Sequence, residues 1–291
     1  MRFDTVFYKG EKGKPLVIFI HGMGMDASAW SNPSEARILA GKYPMSVLVD
    51  KPYTELNTSF SDLRGLGFSV LSWTQLRPSG MIETAVAELQ ELTGEYSKHA
   101  GNGIILICHS RGGLIARKYL ENSYGSVRGL ITLSTPHHGT SMAKWAVYLS
   151  PVAALLNQIL KGVSKKEMDS ALQRILGFFS SRGLRELLPE SGFYSELKDK
   201  KQKGTKYVSI GGSNPDLLRA VSLSLPELIS KVVPDIIIPE EMREGYGDGL
   251  VSAASSEMPH KDEHKNFHLN HAAVLFDREV RDYVIKTVGS F

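Results

Sequence analysis

Five short runs in this chain are apolar almost without interruption: residues 16–20, 67–73, 104–108, 127–133 and 205–210. A strand with one wet face alternates apolar and polar residues, whereas a continuous run belongs to a strand covered on both faces, as in a parallel sheet. Helical periodicities lie between these runs. Ser79 can cap a helix over 80–96, in which Ile82, Val86 and Leu89 share one face while Glu83, Glu88 and Glu91 point outward. Residues 112–122 predict a second helix. Residues 272–287 predict a third, with Val274, Leu275, Val280 and Val284 apolar. Strands that alternate with helices in this way imply an α/β fold: a mostly parallel central sheet with helices on both faces.

Two regions break the rhythm. Residues 25–66 separate two expected strands and hold a candidate extra strand at 46–50. Residues 140–203 offer several helical segments and no convincing strand. Consecutive helices inside an alternating pattern read as an insertion, here a helical cap or lid, carried by a core domain of 1–139 and 204–291. Residues 213–245 form a further apolar but irregular insertion. There is no internal repeat and no low-complexity tract.

Composition narrows the picture further. A chain of 291 residues with 42% hydrophobic and 22% charged positions can bury a full core. A net charge of +3 is too mild to point to nucleic acid, and the basic stretch 198–206 reads as a solvated loop. With one cysteine, Cys108, neither an internal disulfide nor a cysteine-based metal site is expected. Charged residues from Arg2 to Lys14 precede any apolar run, and the run that follows is too short for a secretory leader. The expectation is therefore a cytoplasmic protein, with secretion after removal of a leader as the alternative. The apolar stretch 145–160 contains Pro151, Asn157 and Gln158 and is too short to span a bilayer, so no integral membrane segment is expected.

The chemistry is concentrated at glycines. The strand 104–108 runs through His109 into Ser110 and straight out into Arg111-Gly112-Gly113. This is the layout of a nucleophile elbow, where a tight turn lifts a serine hydroxyl off the sheet and leaves little room two residues to either side. Gly112 meets that demand, and Cys108 departs from it while being small enough to fit. Cys108 itself reads as buried packing rather than as a nucleophile. A second glycine turn, His21-Gly22-Met23-Gly24, closes the first strand. Backbone N–H groups on such a loop can hold a tetrahedral oxyanion together with the N–H that follows the nucleophile, which assigns this role to Met23 and Arg111.

With these pieces the chain resembles the bacterial lipases and esterases of the α/β-hydrolase superfamily. The resemblance rests on residues 21–24, 109–113, 134–140 (Ser-Thr-Pro-His-His-Gly-Thr), 247–252 (Gly-Asp-Gly-Leu-Val-Ser) and 269–271 (Leu-Asn-His), which occur in the family's order. It implies an α/β-hydrolase fold and a Ser110–His271–Asp248 triad. Asp216 is the main rival for the acid and Asp235 stands behind it. His137 and His138 would be structural, His21 and His109 would hold loops, and His260, His264 and His268 would be surface or loop residues. Four histidines in this stretch also raise a metal site, but no matching carboxylate or cysteine set accompanies them, and neither metal nor cofactor is expected. Trp145, Tyr148, Leu149 and Leu155 would line the substrate site from the lid.

The activity so implied is hydrolysis of a small-molecule or lipid carboxylic ester through an acyl-enzyme, with at most transient contact with a lipid surface. The same triad would also serve an acyltransferase, a thioesterase or a lactonase. A non-catalytic binding protein of the same fold is the alternative from another class.

Overall fold

The computed structural model describes residues 2–38, 43–44, 56–122, 127–141, 144, 181–198, 200–217, 219–220, 223–224 and 238–291. The candidate strand at 46–50, Asp235, and the lid residues Trp145, Tyr148, Leu149 and Leu155 lie outside the described residues.

The described residues hold a seven-stranded sheet made of β1 (Asp4–Tyr8), β2 (Leu16–Ile20), β3 (Ser69–Thr74), β4 (Ile104–His109), β5 (Val127–Leu133), β6 (Lys206–Gly212) and β7 (Glu263–Phe267). Their spatial order is β1-β3-β2-β4-β5-β6-β7. Only β1 runs antiparallel to its neighbour. Two-residue ladders at 37–38 with 43–44 and at 219–220 with 223–224 stand apart from this sheet.

The continuous apolar runs are explained by two cores, one on each face. Alternate residues of a strand point to opposite sides, so Leu16, Ile18 and Ile20 enter one core while Val17 and Phe19 enter the other. β4 divides in the same way, with Leu106 and Cys108 on one side and Ile105 and Ile107 on the other. The first core is closed by α2 (Ile82–Glu95) and α3 (Arg111–Leu120), the second by α1 (Ser59–Gly65) and α4 (Arg278–Val288). Each fully buried Leu, Ile, Val or Phe contributes roughly 1.5–3 kcal/mol, so neither face of these strands could tolerate a polar stripe.

Three local expectations are corrected. Ser79 does not cap α2; the Ile82 N–H instead donates to Glu186 Oε2 at 2.8 Å, a carboxylate placed where the helix dipole favours it. Glu88 does not point outward. It is buried and accepts from the indole N–H of Trp73 at 2.9 Å, which compensates the cost of taking it out of water. The helix expected over 272–287 is broken into a 3-10 turn, Ala273–Leu275, and α4, whose N-cap Asp277 accepts from the N–H groups of Glu279 and Val280.

The paired registers bring the carboxyl ends of β2, β4, β5, β6 and β7 into one row: Ile20 with Cys108, His109 with Leu133, Leu133 with Ile210, and Gly212 with Phe267. Ligands bind at this edge of an open parallel sheet. The candidate residues His21–Gly24, Ser110, Asp248 and His271 all follow strands of this row in the chain.

Candidate active site

Ser110 is the junction between β4 and α3. It holds φ 53° and ψ −129°, a left-handed conformation that non-glycine residues rarely adopt, and it remains partly exposed. Its N–H donates to Leu133 O at 2.9 Å and its C=O accepts from Thr135 Oγ1 at 2.8 Å, so both sides of the strained peptide are anchored. A methyl group on Gly112 would lie 2.6 Å from Ile20 O, and one on Gly113 would meet the Thr135 side chain. The two glycines therefore let α3 settle against the end of β2 and against the loop after β5. The turn forms with cysteine at 108. That thiol is wholly buried and its pKa is raised by burial, which keeps it protonated.

The loop after β2 passes directly beside the serine. A methyl on Gly22 would stand 3.1 Å from Ser110 Cβ and 3.0 Å from His109 Nδ1. The Gly24 N–H is taken by Pro78 O at 3.1 Å, whereas the Met23 N–H meets no acceptor among the described residues. Arg111 is the first residue of α3, where an N–H has no partner within the helix. His21 is buried and receives the Gln75 N–H on Nε2 at 3.2 Å, which leaves Nδ1 to donate to Gly22 O at 2.8 Å. Burial lowers its pKa to about 4, and the ring is neutral at pH 7.

Asp248 and His271 meet in the opposite wall. His271 Nδ1 lies 2.9 Å from Asp248 Oδ2, and both side chains are buried. The other carboxylate oxygen accepts from the N–H groups of Leu250 (3.0 Å) and Val251 (2.8 Å). The main chains are tied as well, with the His271 N–H donating to Asp248 O at 2.9 Å. The glycines flanking Asp248 have separate reasons. A side chain on Gly247 would enter the backbone of Glu241, and Gly249 holds φ 94°. A third glycine, Gly212 at the end of β6, makes room for Asp248 Cβ. Glu241 secures this loop from behind: its C=O accepts from the Gly249 N–H at 2.8 Å, while its carboxylate accepts from Thr140 Oγ1, the Ser141 N–H and Ser141 Oγ.

His109 joins the two walls. Its Nε2 donates to His271 O at 2.8 Å, and the two rings lie 4.8 Å apart. Burial and the neighbouring imidazole hold its pKa well below the usual histidine range.

The remaining candidates are placed elsewhere. Asp216 meets Asn270 through its main-chain carbonyl, which accepts from Asn270 Nδ2 at 2.7 Å. His264 is not a surface or loop residue: it lies half-buried on β7, where its ring meets Ser209 Oγ on the neighbouring β6, and the exposed His268 faces Glu244. His137 is buried between Arg117 and Thr132, with its pKa pushed well down by burial and then by the guanidinium. His138 is exposed. Among the described residues no group of three or more His, Cys, Asp or Glu side chains could hold a metal ion, and no helix is long and apolar enough to cross a membrane. Sequence reasoning missed Gln75, Glu88, Glu186 and Glu241. All four act through partners on other elements, side chain and main chain alike, and no motif marks them.

These features define a protein of the α/β-hydrolase fold, and comparison with solved structures agrees. A lipase from Bacillus licheniformis, BlEst2, superposes in its propeptide form with a TM-score of 0.60 at 17% identity, covering 97% of this chain; the chain spans 53% of that structure. The mature form gives a TM-score of 0.54 at 19% identity, covering 97% of this chain and 98% of that one. A carboxylesterase of the thaumarchaeon Nitrososphaera gargenis gives 0.51 at 14% identity, covering 98% and 94%. At such identities the likeness is one of fold. A family model, palmitoyl protein thioesterase, matches residues 15–208, and the chain belongs to that family. No curated protein sequence matches the chain significantly.

Proposed function

We propose that the protein is a serine hydrolase that cleaves lipophilic carboxylic esters through an acyl-enzyme on Ser110. The observation that carries this reading is the buried Asp248–His271 pair at 2.9 Å, tied through His109 to a serine held in a strained strand-to-helix turn. With Nδ1 occupied by Asp248, His271 has Nε2 free to take the proton from Ser110 Oγ as the oxygen attacks the carbonyl carbon. Asp248 fixes the tautomer and stabilises the imidazolium. The N–H groups of Met23 and Arg111 receive the oxyanion. His271 then protonates the leaving alkoxide as the tetrahedral intermediate collapses. The same imidazole activates a water molecule to release the acid and restore Ser110. The reading requires no cofactor.

In this reading residues 140–203 cap the site, and Trp145, Tyr148, Leu149 and Leu155 supply an apolar wall for the acyl chain. The described end of that segment supports a cap seated on the core: Leu184 and Leu187 are buried in the first core, and the Thr140 N–H donates to Leu187 O at 2.8 Å. A thioester substrate is the second reading, favoured by the family to which residues 15–208 match. The chemistry is the same, except that a thiolate leaves with less need of a proton.

Parallel series of p-nitrophenyl esters and acyl thioesters of rising chain length test both readings, with a fluorophosphonate probe to mark the nucleophile. Ser110→Ala should abolish labelling and reduce turnover by several orders of magnitude, to what binding and the oxyanion donors alone supply. Near-wild-type turnover in folded Ser110→Ala would overturn the proposal. A preference for thioesters at equal chain length would decide for the second reading.

A further inference from the structure

The side chain of Arg111 is wholly buried although it follows Ser110 in the chain. A guanidinium leaves water only where acceptors receive it. Here they are Gln75 Oε1 at 2.8 Å, Gly80 O at 2.6 Å and Pro78 O at 3.5 Å, all on the turn after β3. Burial lowers its pKa to about 10 against the pull of Glu186 and Glu88, so the group is charged at neutral pH.

The same turn holds the loop after β2 from behind. Gln75 donates its backbone N–H to His21 Nε2 and its side-chain Nε2 to His21 O, each at 3.2 Å. Pro78 O accepts the Gly24 N–H at 3.1 Å. Two hydrogen-bonded steps thus lead from the Arg111 guanidinium to His21 and Gly24, which bracket Met23.

We propose that the Arg111 side chain is a positioning residue for the oxyanion hole. By clamping the 75–80 turn, it fixes the His21–Gly24 loop, and with it the Met23 N–H, relative to the backbone N–H of Arg111 itself. One residue so supplies one donor and sets the place of the other. The inference rests on the proposed reading of these two N–H groups as oxyanion donors. Arginine suits the task because its acceptors diverge: Nη1 serves Gln75 and Pro78 while Nη2 serves Gly80, and a planar fork spans them where a single ammonium cannot. A merely structural cation balancing Glu88 and Glu186 would need no such fork.

The test uses the full chain with Arg111→Met, Arg111→Lys and Gln75→Leu, all of which keep every backbone N–H. Hydrogen exchange of peptides covering 21–25 and 74–80 reads the clamp without reference to catalysis. Turnover of a p-nitrophenyl ester, and inhibition by a trifluoromethyl ketone whose bound form is an oxyanion, read the hole. Arg111→Met should exchange faster in both peptides and lose about 10–100-fold in kcat, with KM within about threefold of wild type. Its inhibition constant should rise by the same factor as kcat falls, and Arg111→Lys should recover only part of the loss. If Arg111→Met fails to fold, Gln75→Leu carries the test, with the same signature at smaller size.

Unchanged exchange in 21–25, or a loss confined to KM and thermal midpoint, would overturn the inference. Faster exchange in a protein whose wild type turns over no ester or thioester would instead overturn the hydrolase reading and leave the clamp standing.

Discussion

Replacing Asp248 by asparagine separates the shape of the site from its proton arrangement. The amide has the size of the carboxylate but must choose an orientation. One oxygen of Asp248 now accepts two backbone N–H groups, from Leu250 and Val251, and the other faces His271 Nδ1. If the amide oxygen stays with the two N–H groups, its NH2 points at Nδ1, and Nδ1 must become an acceptor. The imidazole proton then sits on Nε2, the nitrogen that receives the proton of Ser110 in the proposed mechanism. The flipped orientation would preserve the working tautomer, but it sets an NH2 against two buried N–H donors. Each donor left unsatisfied costs about 1–3 kcal/mol, so the flip is disfavoured by about 2–6 kcal/mol and the inactive tautomer dominates. A buried acid–imidazole pair altered in this way loses roughly 10⁴-fold in kcat, which corresponds to about 5.5 kcal/mol of barrier. The comparison is steady-state turnover of a p-nitrophenyl ester by Asp248→Asn and Asp216→Asn, with circular dichroism and thermal midpoint recorded for both. Asp216→Asn should stay within about threefold of wild type, since His271 Nδ1 is met by Asp248. A folded Asp248→Asn with turnover within tenfold of wild type, or a larger loss at Asp216, would refute the reasoning.

Three further outcomes follow from the packing and from the buried histidines. Gly22→Ala places a methyl 3.1 Å from Ser110 Cβ and 3.0 Å from His109 Nδ1, and should lower kcat by roughly tenfold or more while the thermal midpoint moves by only a few degrees. Gly112→Ala sets a methyl 2.6 Å from the carbonyl oxygen of Ile20, which is backbone and cannot swing away; differential scanning calorimetry should show a loss of about 1–3 kcal/mol. His21, His109 and His137 all have folded pKa values below the ordinary 6.5, to about 4 for His21, chiefly because burial disfavours the charged ring. The unfolded chain therefore binds more protons below pH 6.5, and the stability these rings contribute is full above that value and lost as pH falls toward the folded values. Unfolding free energies from urea titrations between pH 6.5 and 5 should fall with a slope approaching about 4 kcal/mol per pH unit, and a flat profile in that window would contradict three buried neutral histidines.

The five inner strands were legible because burial on both faces writes an apolar residue at nearly every position. The two edge strands were not, and the reason is the same physics in reverse. β1 reads Asp-Thr-Val-Phe-Tyr with no position fully buried, and β7 reads Glu-His-Lys-Asn-Phe with only its last residue buried. Edge strands carry charge that discourages pairing with another chain, and that charge erases the apolar signal a reader relies on. Glu88 escaped for a related reason: helical spacing shows which face an acid occupies but not that an indole N–H waits for it on the next element. The α2 cap escaped because its partner, Glu186, lies 104 residues away.

The candidate site divides along the same line, and the division shows what kind of residue a motif can reveal. Gly22, Gly112, Gly113, Gly247 and Gly249 stand out in the chain because only glycine permits the approach or the dihedral each position needs, so the loops they serve can be found without a structure. Arg111, Gln75 and Glu241 act differently, in part through carbonyl and N–H groups that every residue type carries. A carbonyl such as Gly80 O or Pro78 O leaves no trace in a sequence as an acceptor, and neither does the Gly249 N–H as a donor to Glu241. Motifs thus mark where the backbone must make a close approach or a rare turn, and they are silent about what holds it there. The buried Arg111 is the instructive case. It lies inside the most recognisable motif of the chain, yet its side chain works on a turn more than thirty residues earlier, at separations of 36 to Gln75 and 31 to Gly80. Only the folded arrangement joins the Ser110 turn, the 75–80 turn and the His21–Gly24 loop into one unit, and that unit is what the Arg111→Met and Gln75→Leu variants would take apart.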